Sequence, residues 1–321
     1  MDDFEWLKDK VIKLAGADQE IRQLYDLVNQ RINMKDRIYV KGPWAFKKLL
    51  ILAIYIDIFT NVAKDHRKNL VYIDLLAGPG FNYIVDFDLV IAGSPLLAAI
   101  IPRVLKSGSL NSFDRMILVD NDPENCESLK QILAADILCA DCNSDTVYDT
   151  IISAMKPPDS LFLVFVDPEG LEVQWRTMER LFGLPGDFVI NYPYSGVART
   201  CGRVDAECGP LKESLGRPLD NFFGTSDWRQ LDSGEGIGDR LYNFYLERLK
   251  KYRSEVVEFP IMMVGGSQYR ILVAARKTQG GSPWLKPVAK LKKRIESISD
   301  GQLDRLVDVY KGKQRQLTDF F

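Results

Sequence analysis

The sequence predicts an α/β fold: a mostly parallel seven-stranded sheet with helices on both faces and an antiparallel hairpin closing it. Three observations predict it. From residue 70 onward, short β-rich runs alternate with helical stretches, which is the pattern of βαβ units. Runs such as Leu161–Val166 (LFLVFV) are apolar throughout, as strands covered on both sides must be. Late in the chain VVEFPIMMV and YRILVAA flank a Gly-Gly turn (GGSQ) and read as paired antiparallel strands.

The elements follow in order. Residues 4–32 carry apolar positions at helical spacing (Phe4, Leu7, Val11, Leu14, Ile21, Leu24, Tyr25, Val28), which predicts an N-terminal helical extension over residues 1–65. Within it a basic connector (Arg31, Lys35, Arg37, Lys41, opposed by Asp36) leads to Gly42-Pro43, which opens a helix from Trp44 to about Ala63. The apolar run Leu49–Phe59 in that helix is too short for a bilayer and is interrupted by Asp57, so it reads as a core helix and no membrane contact is expected. Residues 66–280 form the expected Rossmann-like domain, with strands over Leu70–Leu75, Arg115–Val119, Ile137–Cys139, Leu161–Val166 and Asp187–Asn191. An insertion over about 196–250, holding Cys201, Cys208 and a helix over Asp239–Tyr252, interrupts the alternation. Residues 281–321 read as a basic helix, from Pro287, and a tail.

Composition narrows the function classes. In 321 residues, Lys+Arg 42 against Asp+Glu 44 leaves a net charge of −2, so any nucleic-acid contact must come from a local patch. An apolar fraction of 46% with 27% charged residues predicts a soluble protein with a substantial core. Five cysteines do not make a disulfide framework. The single histidine, His66, excludes multi-histidine metal sites, and a Ser-His-Asp triad would have to use it. Cys139-x-x-Cys142 with Cys201 and Cys208 offers four thiolates, but the first pair straddles Asp141 and the second is irregularly spaced, so no metal is expected. The start, MDDFEWLKDK, lacks the apolar stretch of a secretory signal, and an intracellular protein is expected.

The chemistry gathers at strand ends. LVYIDLLAGPG places Asp74, Gly78 and Gly80 directly after the first strand, where glycines let the backbone approach a ligand. The next strand ends RMILVD, putting Asp120 where a carboxylate accepts from both hydroxyls of a ribose. The third ends LCADC, putting Asp141 where the exocyclic amine of adenine could be read. The fourth ends VFVDPEG and places Asp167, the catalytic candidate, at the same edge. Four acidic residues at the carboxyl ends of four consecutive strands point at one crevice, although each could instead cap a helix. A nicotinamide site would show G-x-G-x-x-G, whereas this chain has GPGFNY, and the closing hairpin favours the class I methyltransferase fold with S-adenosylmethionine (SAM) as cofactor.

Four motifs in order, DLLAGPG (Asp74–Gly80), GSPLLA (Gly93–Ala98), VDPEG (Val166–Gly170) with Trp175 downstream, and NFFGTSDW (Asn221–Trp228), resemble the three-Cys-motif partner (TcmP) proteins. The helix KKLLILAIYIDIF (Lys47–Phe59) fits the same family, and the resemblance covers about residues 40–275. It implies a methyltransferase-like, SAM-binding domain in which Asp74, Gly78 and Gly80 hold the methionine end, Asp120 the ribose and Asp141 the adenine. The acceptor stays open. Amino-methyltransferases acting on bases carry Asn/Asp-Pro-Pro-aromatic after the fourth strand, whereas Asp167-Pro168-Glu169-Gly170 lacks the aromatic that would stack on a flipped base. Asn191-Tyr192-Pro193-Tyr194 is similar but follows the fifth strand, where a strand end and a Pro turn explain it more simply. Lys47 or Lys48 with Asp167 supplies part of the lysine-rich set of ribose methyltransferases, but no lysine follows the fifth strand.

The last eight residues, Gln314-Arg315-Gln316-Leu317-Thr318-Asp319-Phe320-Phe321, match the PIP-box motif with which proteins dock on the sliding clamp PCNA. One tight turn would bring Leu317, Phe320 and Phe321 together as an apolar plug, with Gln314 hydrogen-bonding at the rim. The alternative is a tail folded back on its own core. Lys286, Lys290, Lys292, Lys293 and Arg294 could lie over DNA threading the ring, or form a solvated helix face. PCNA-type clamps imply an archaeal cytoplasm or a eukaryotic nucleus. Two functions follow from these readings: a methyltransferase tethered to the clamp, acting on DNA or on a protein there, or an inactive methyltransferase-like protein that works by occupying the clamp.

Overall fold

The computed structural model describes residues 2–32, 40–63, 69–105, 112–155, 159–232, 234–263, 266–277, 282 and 285–312. The chain begins with α1 (Asp3–Ala15), α2 (Asp18–Asn29), the two-residue β1 (Val40–Lys41) and α3 (Pro43–Ala63). It continues through β2 (Asn69–Asp74), β3 (Phe81–Ile84), β4 (Leu89–Ala92), α4 (Ser94–Val104), β5 (Arg115–Asp120), α5 (Pro123–Ile132), β6 (Asp136–Cys139) and α6 (Asp145–Ser153). Then come β7 (Ser160–Val166), α7 (Trp175–Leu181), β8 (Gly186–Tyr192), α8 (Tyr194–Asp205), α9 (Gly209–Phe223) and α10 (Ile237–Lys250). The hairpin β9 (Glu255–Met262) and β10 (Gln268–Ala275) and the helices α11 (Leu285–Ser297) and α12 (Asp300–Tyr310) complete it.

The main sheet has seven strands in the order β6-β5-β2-β7-β8-β10-β9. Strands β6, β5, β2, β7 and β8 pair in parallel, and β10 runs antiparallel to both of its neighbours. This is the Rossmann-like class I methyltransferase fold that the alternation and closing hairpin predict. The chain moves outward from β2 to β6, then returns to lay β7 on the other side of β2, so the order reverses at the β2–β7 seam. Ligands of such sheets sit outside the carboxyl ends at that reversal.

Period-two alternation splits each strand between two cores. Leu70 and Tyr72 of β2, Leu163 and Phe165 of β7 and Ile271 and Val273 of β10 face one layer. Val71, Ile73, Phe162, Val164, Leu272 and Ala274 face the other. Complete burial of each such side chain contributes about 1.5–3 kcal/mol, which is why continuous apolar runs read correctly as two-sided strands. The first layer contains α3, whose run Leu49–Ile56 is buried all round because the sheet lies beneath it and α4, α11 and α12 surround it. The second contains the insertion, which folds as α8, α9 and α10 around Trp175, Trp228 and Tyr245.

Two features depart from the sequence reading. Phe81–Ala92 forms a hairpin that pairs with β1 in a separate three-stranded sheet ordered β1-β3-β4. Its four-residue strands carry no glycine turn: Asp88 takes the left-handed conformation instead, at φ +46°, so the usual signal was absent. The single basic helix expected from Pro287 is two helices, the second opened by a capping box of Ser299 and Gln302. Arg294 is not on a solvated face, because its guanidinium lies 3.9 Å from the Trp6 ring centre and bonds Asp3 at 3.2 Å. Among the described residues, no helix is long and apolar enough to cross a membrane. His66 and the tail residues Gln314, Leu317, Phe320 and Phe321 lie outside the described residues.

Candidate functional site

The carboxyl ends of β2, β5, β6, β7 and β8 open into a cleft of ≈ 510 Å³ at the reversal of strand order. That volume is typical of small-molecule sites. Its first wall is the loop after β2. Gly78 and Gly80 have φ of +63° and +91°, conformations that disfavour any side chain. At Gly80 a Cβ would also lie 2.7 Å from Ile132. The β3–β4 hairpin then returns so that the Gly93 N–H donates to the Gly80 carbonyl at 2.7 Å. A Cβ on Gly93 would stand 2.9 Å from that carbonyl, so GSPLLA begins with glycine to let α4 start against the loop.

The four strand-end aspartates divide into distinct roles. Asp74 is fully buried and does not line the cleft. Tyr72 donates to it at 3.1 Å and the Leu76 N–H at 3.4 Å. Burial pushes its carboxyl from 3.8 up to about 7, against hydrogen bonds from Ser94 and Tyr72 that pull it down. Asp120 lines the cleft at 8% exposure. It accepts from the Gly78 N–H (2.8 Å), the Asp122 N–H (2.9 Å) and Asn125 Nδ2 (3.1 Å). Of the roughly four lone-pair positions of a carboxylate, that leaves about one for a ligand. Asp141 is exposed at the cleft, with Oδ1 accepting from Asn143 N–H at 2.8 Å and Nδ2 at 2.9 Å. Asn143 in turn ties this loop to Glu172 and Thr177.

Asp167 sits on the opposite wall. It pairs with Lys48 of α3 and accepts from Asn191 Nδ2 at 2.7 Å. Lys48 lies 5.5 Å from the Trp44 ring centre, and Trp44 stacks on Tyr269 at 5.3 Å. All five residues line the cleft. Burial and the charges of Asp167, Glu169 and Glu172 raise the Tyr269 phenol above its ordinary value, so these carboxylates share its surroundings. Within Asn191-Tyr192-Pro193-Tyr194 only Asn191 reaches the cleft: Tyr192 is buried in the second core and Tyr194 donates to Asp239 at 2.8 Å. The sequence reading did not single out Trp44, Tyr269, Glu172 or Asn143. The available signal was positional, since an aromatic at the second position of the reversed strand, as Tyr269 is, must lie at the carboxyl edge of the sheet.

The five cysteines are free: Cys126, Cys142 and Cys201 are buried, Cys139 and Cys208 exposed. Among the described residues, no group of three or more His, Cys, Asp or Glu side chains is placed to hold a metal ion.

No protein-family model matches the chain, and no curated protein matches its sequence significantly. Its fold is similar to that of a protein from Legionella pneumophila, at 11% identity over 78% of this chain and 92% of that one, with a TM-score of 0.45. It is also similar to an O-methyltransferase from Bacillus cereus solved with S-adenosylhomocysteine, at 12% identity over 83% of this chain and 100% of that one (TM-score 0.40). Human methyltransferase-like protein 13, solved with the same compound, matches at 11% identity over 86% of this chain and 99% of that one (TM-score 0.36). At such identities the chemistry of the cleft is read from its own residues.

Proposed function

We propose that the chain is a SAM-dependent methyltransferase of the TcmP type, tethered to the PCNA sliding clamp by Gln314, Leu317, Phe320 and Phe321. The observation that carries methyl transfer is the convergence of Gly78, Asp120, Asp141 and Asp167 on one cleft at the switch point of a class I sheet. The residues fit the cofactor. Gly78 lines the cleft with nothing within 4 Å of its missing Cβ, so its backbone is open to close approach. Asp120 keeps acceptor capacity for one ribose hydroxyl, and Asp141 is exposed where an amine donor can reach it. SAM, when bound, supplies an electrophilic methyl group on a positively charged sulfur. Lys48 and Asn191 fix Asp167 in place, so that its carboxylate meets and orients the N–H or O–H of an acceptor. The tail would raise the local concentration of acceptor without affinity in the cleft itself.

Calorimetric titration with SAM and S-adenosylhomocysteine tests the cofactor. Saturable micromolar binding that Asp120→Ala loses supports the reading, and no binding by the wild type removes it. For the tether, the full chain is expected to co-elute with PCNA and a chain ending at residue 313 to elute alone. Co-elution of both would defeat the motif. One observation favours the second reading, an inactive clamp-binding scaffold: three of the Asp120 acceptor positions are already filled by the protein's own donors. Clamp binding without SAM binding is the result that reading requires.

A further inference from the structure

The C-x-x-C spacing of Cys139 and Cys142 has no role in the cofactor reading, and the fold sends its two thiols apart. Ile137 of β6 belongs to the first core layer with Leu129 and Ile132 of α5, whereas Leu138, Ala140 and Cys142 belong to the second. Alternation along β6 puts Cys139 on the face of Ile137, the face that α5 covers, and α5 carries Cys126. The Cys126 thiol donates to the Asp120 carbonyl at 3.4 Å, and the same carbonyl accepts the Ala140 N–H at 3.0 Å. The Cys126 sulfur therefore stands at the backbone step that follows Cys139, and the Cys139 thiol is its side-chain hydrogen-bond partner. Burial first, and then this neighbour, push the Cys126 thiol above its ordinary value. Cys126 is 1% exposed, whereas Cys139 is open to solvent.

We propose that Cys126 and Cys139 are a reversible oxidation site, closed to an intrachain disulfide by a small-molecule disulfide such as oxidised glutathione, and that this bond weakens cofactor binding at Asp120. Burial shields Cys126 from any oxidant in solution, so Cys139 has to react first. Its thiolate attacks one sulfur of the small disulfide, whose S–S bond breaks, and one glutathione leaves with the proton that Cys139 released. Cys126 then gives up its proton and attacks the Cys139 sulfur, and that proton goes with the second glutathione. Two protein thiols are thus oxidised to one disulfide while one glutathione disulfide is reduced to two thiols. Bonded sulfurs lie about 2 Å apart, closer than a thiol hydrogen bond brings them, so the bond draws this turn of α5 toward β6. It also removes the S–H that bonds the Asp120 carbonyl. The neighbouring Asn125 holds Asp120 Oδ1 at 3.1 Å, so the carboxylate offered to the ribose is disturbed with it. The effect on the cofactor rests on the SAM-dependent reading above. The disulfide itself does not.

The test incubates the full chain with oxidised glutathione, blocks remaining thiols with N-ethylmaleimide and cleaves before aspartates. Cys126, Cys139 and Cys142 then fall on separate fragments, 122–135, 136–140 and 141–144. Mass spectrometry is expected to find 122–135 joined to 136–140 in a monomeric chain, and dithiothreitol to separate them. Glutathione that persists on 136–140, a bond from 136–140 to 141–144, or a bond between chains overturns the inference. By calorimetry the oxidised chain is expected to bind SAM several-fold more weakly than the reduced chain, and Cys139→Ser to bind equally with and without the oxidant. Cys139 is exposed and is not among the described residues lining the cleft, so its variant keeps the test valid if Cys126→Ala fails to fold. Equal SAM affinity of the oxidised and reduced wild type overturns the effect on the cofactor. The disulfide in a chain that binds no SAM in either form defeats only the transferase reading, and SAM binding without the disulfide defeats only the oxidation site.

Discussion

The two walls of the cleft are built differently. On the proposed nucleotide wall Asp120 and Asp141 accept backbone N–H groups from Gly78, Asp122 and Asn143, all within their own loops or the loop of the adjacent strand. On the proposed acceptor wall Asp167 is held by side chains alone, Lys48 from 119 residues upstream and Asn191 from 24 residues downstream. A carboxylate held by backbone donors is fixed by the course of the chain, whereas one held by side chains depends on each partner residue. The nucleotide wall is thus the more rigid and the acceptor wall the more readily altered by substitution.

Asp74 lies behind both walls, and its substitution is expected to give the largest effect. Its carboxyl is raised from 3.8 to about 7 in the fold, by burial first, with the nearby Asp167 charge adding to it. An acid with a raised folded pKa binds its proton more tightly folded than unfolded. Stability is then complete below pH 4 and falls as pH rises toward 7, with no further loss above. At about 1.4 kcal/mol per unit, the loss is on the order of 4 kcal/mol. Asp74→Asn should flatten the pH dependence of urea unfolding between pH 4 and 7. A curve as steep as that of the wild type would show that Asp74 is charged in the fold.

The acceptor wall is next. Lys48 is 8% exposed and Asp167 20% exposed in their side chains, so Lys48→Met leaves a largely buried carboxylate with Asn191 as its remaining partner. The expected cost is about 3 kcal/mol, and the double variant with Asp167→Asn should recover much of it. Additive losses in the double-mutant cycle would mean the pair is not coupled. On the nucleotide wall Asp120→Ala strands donors of Gly78, Asp122 and Asn125 and should cost about 2 kcal/mol, together with SAM affinity. A loss of stability larger than that of Lys48→Met would reverse the ranking of the walls.

The same contrast explains what the sequence disclosed. Strand-end aspartates and their glycine loop stand in local patterns, a β-run followed by Asp and then a turn, so Asp74, Gly78, Asp120, Asp141 and Asp167 could be placed at one sheet edge without coordinates. Burial could not be read: nothing local distinguishes Asp74, hidden beneath Tyr72 and Ser94, from Asp120 at the surface of the cleft. The acceptor wall was legible only in pieces, because Lys48, Asp167, Asn191 and Tyr269 meet through the return of the chain across the sheet. The β3–β4 hairpin escaped because its turn uses Asp88 rather than glycine.

Asp141 gives the smallest expected effect on stability and decides whether a strand-end aspartate is a ligand group or only a turn. Its Oδ1 bonds to Asn143 make an Asx turn, which by itself accounts for an aspartate here. The side chain is exposed, however, and Asn143 keeps its bonds to Glu172, Gln174 and Thr177 when Asp141 is removed. Asp141→Ala should therefore cost about 0.5 kcal/mol in urea unfolding, near the lower end for a hydrogen bond. SAM affinity should fall about tenfold, which corresponds to about 1.4 kcal/mol. Both numbers come from one protein preparation, one by denaturation and one by calorimetry. If stability falls and affinity does not, Asp141 serves the turn alone, and adenine recognition at this wall has to come from backbone groups around Ala140 and Cys142.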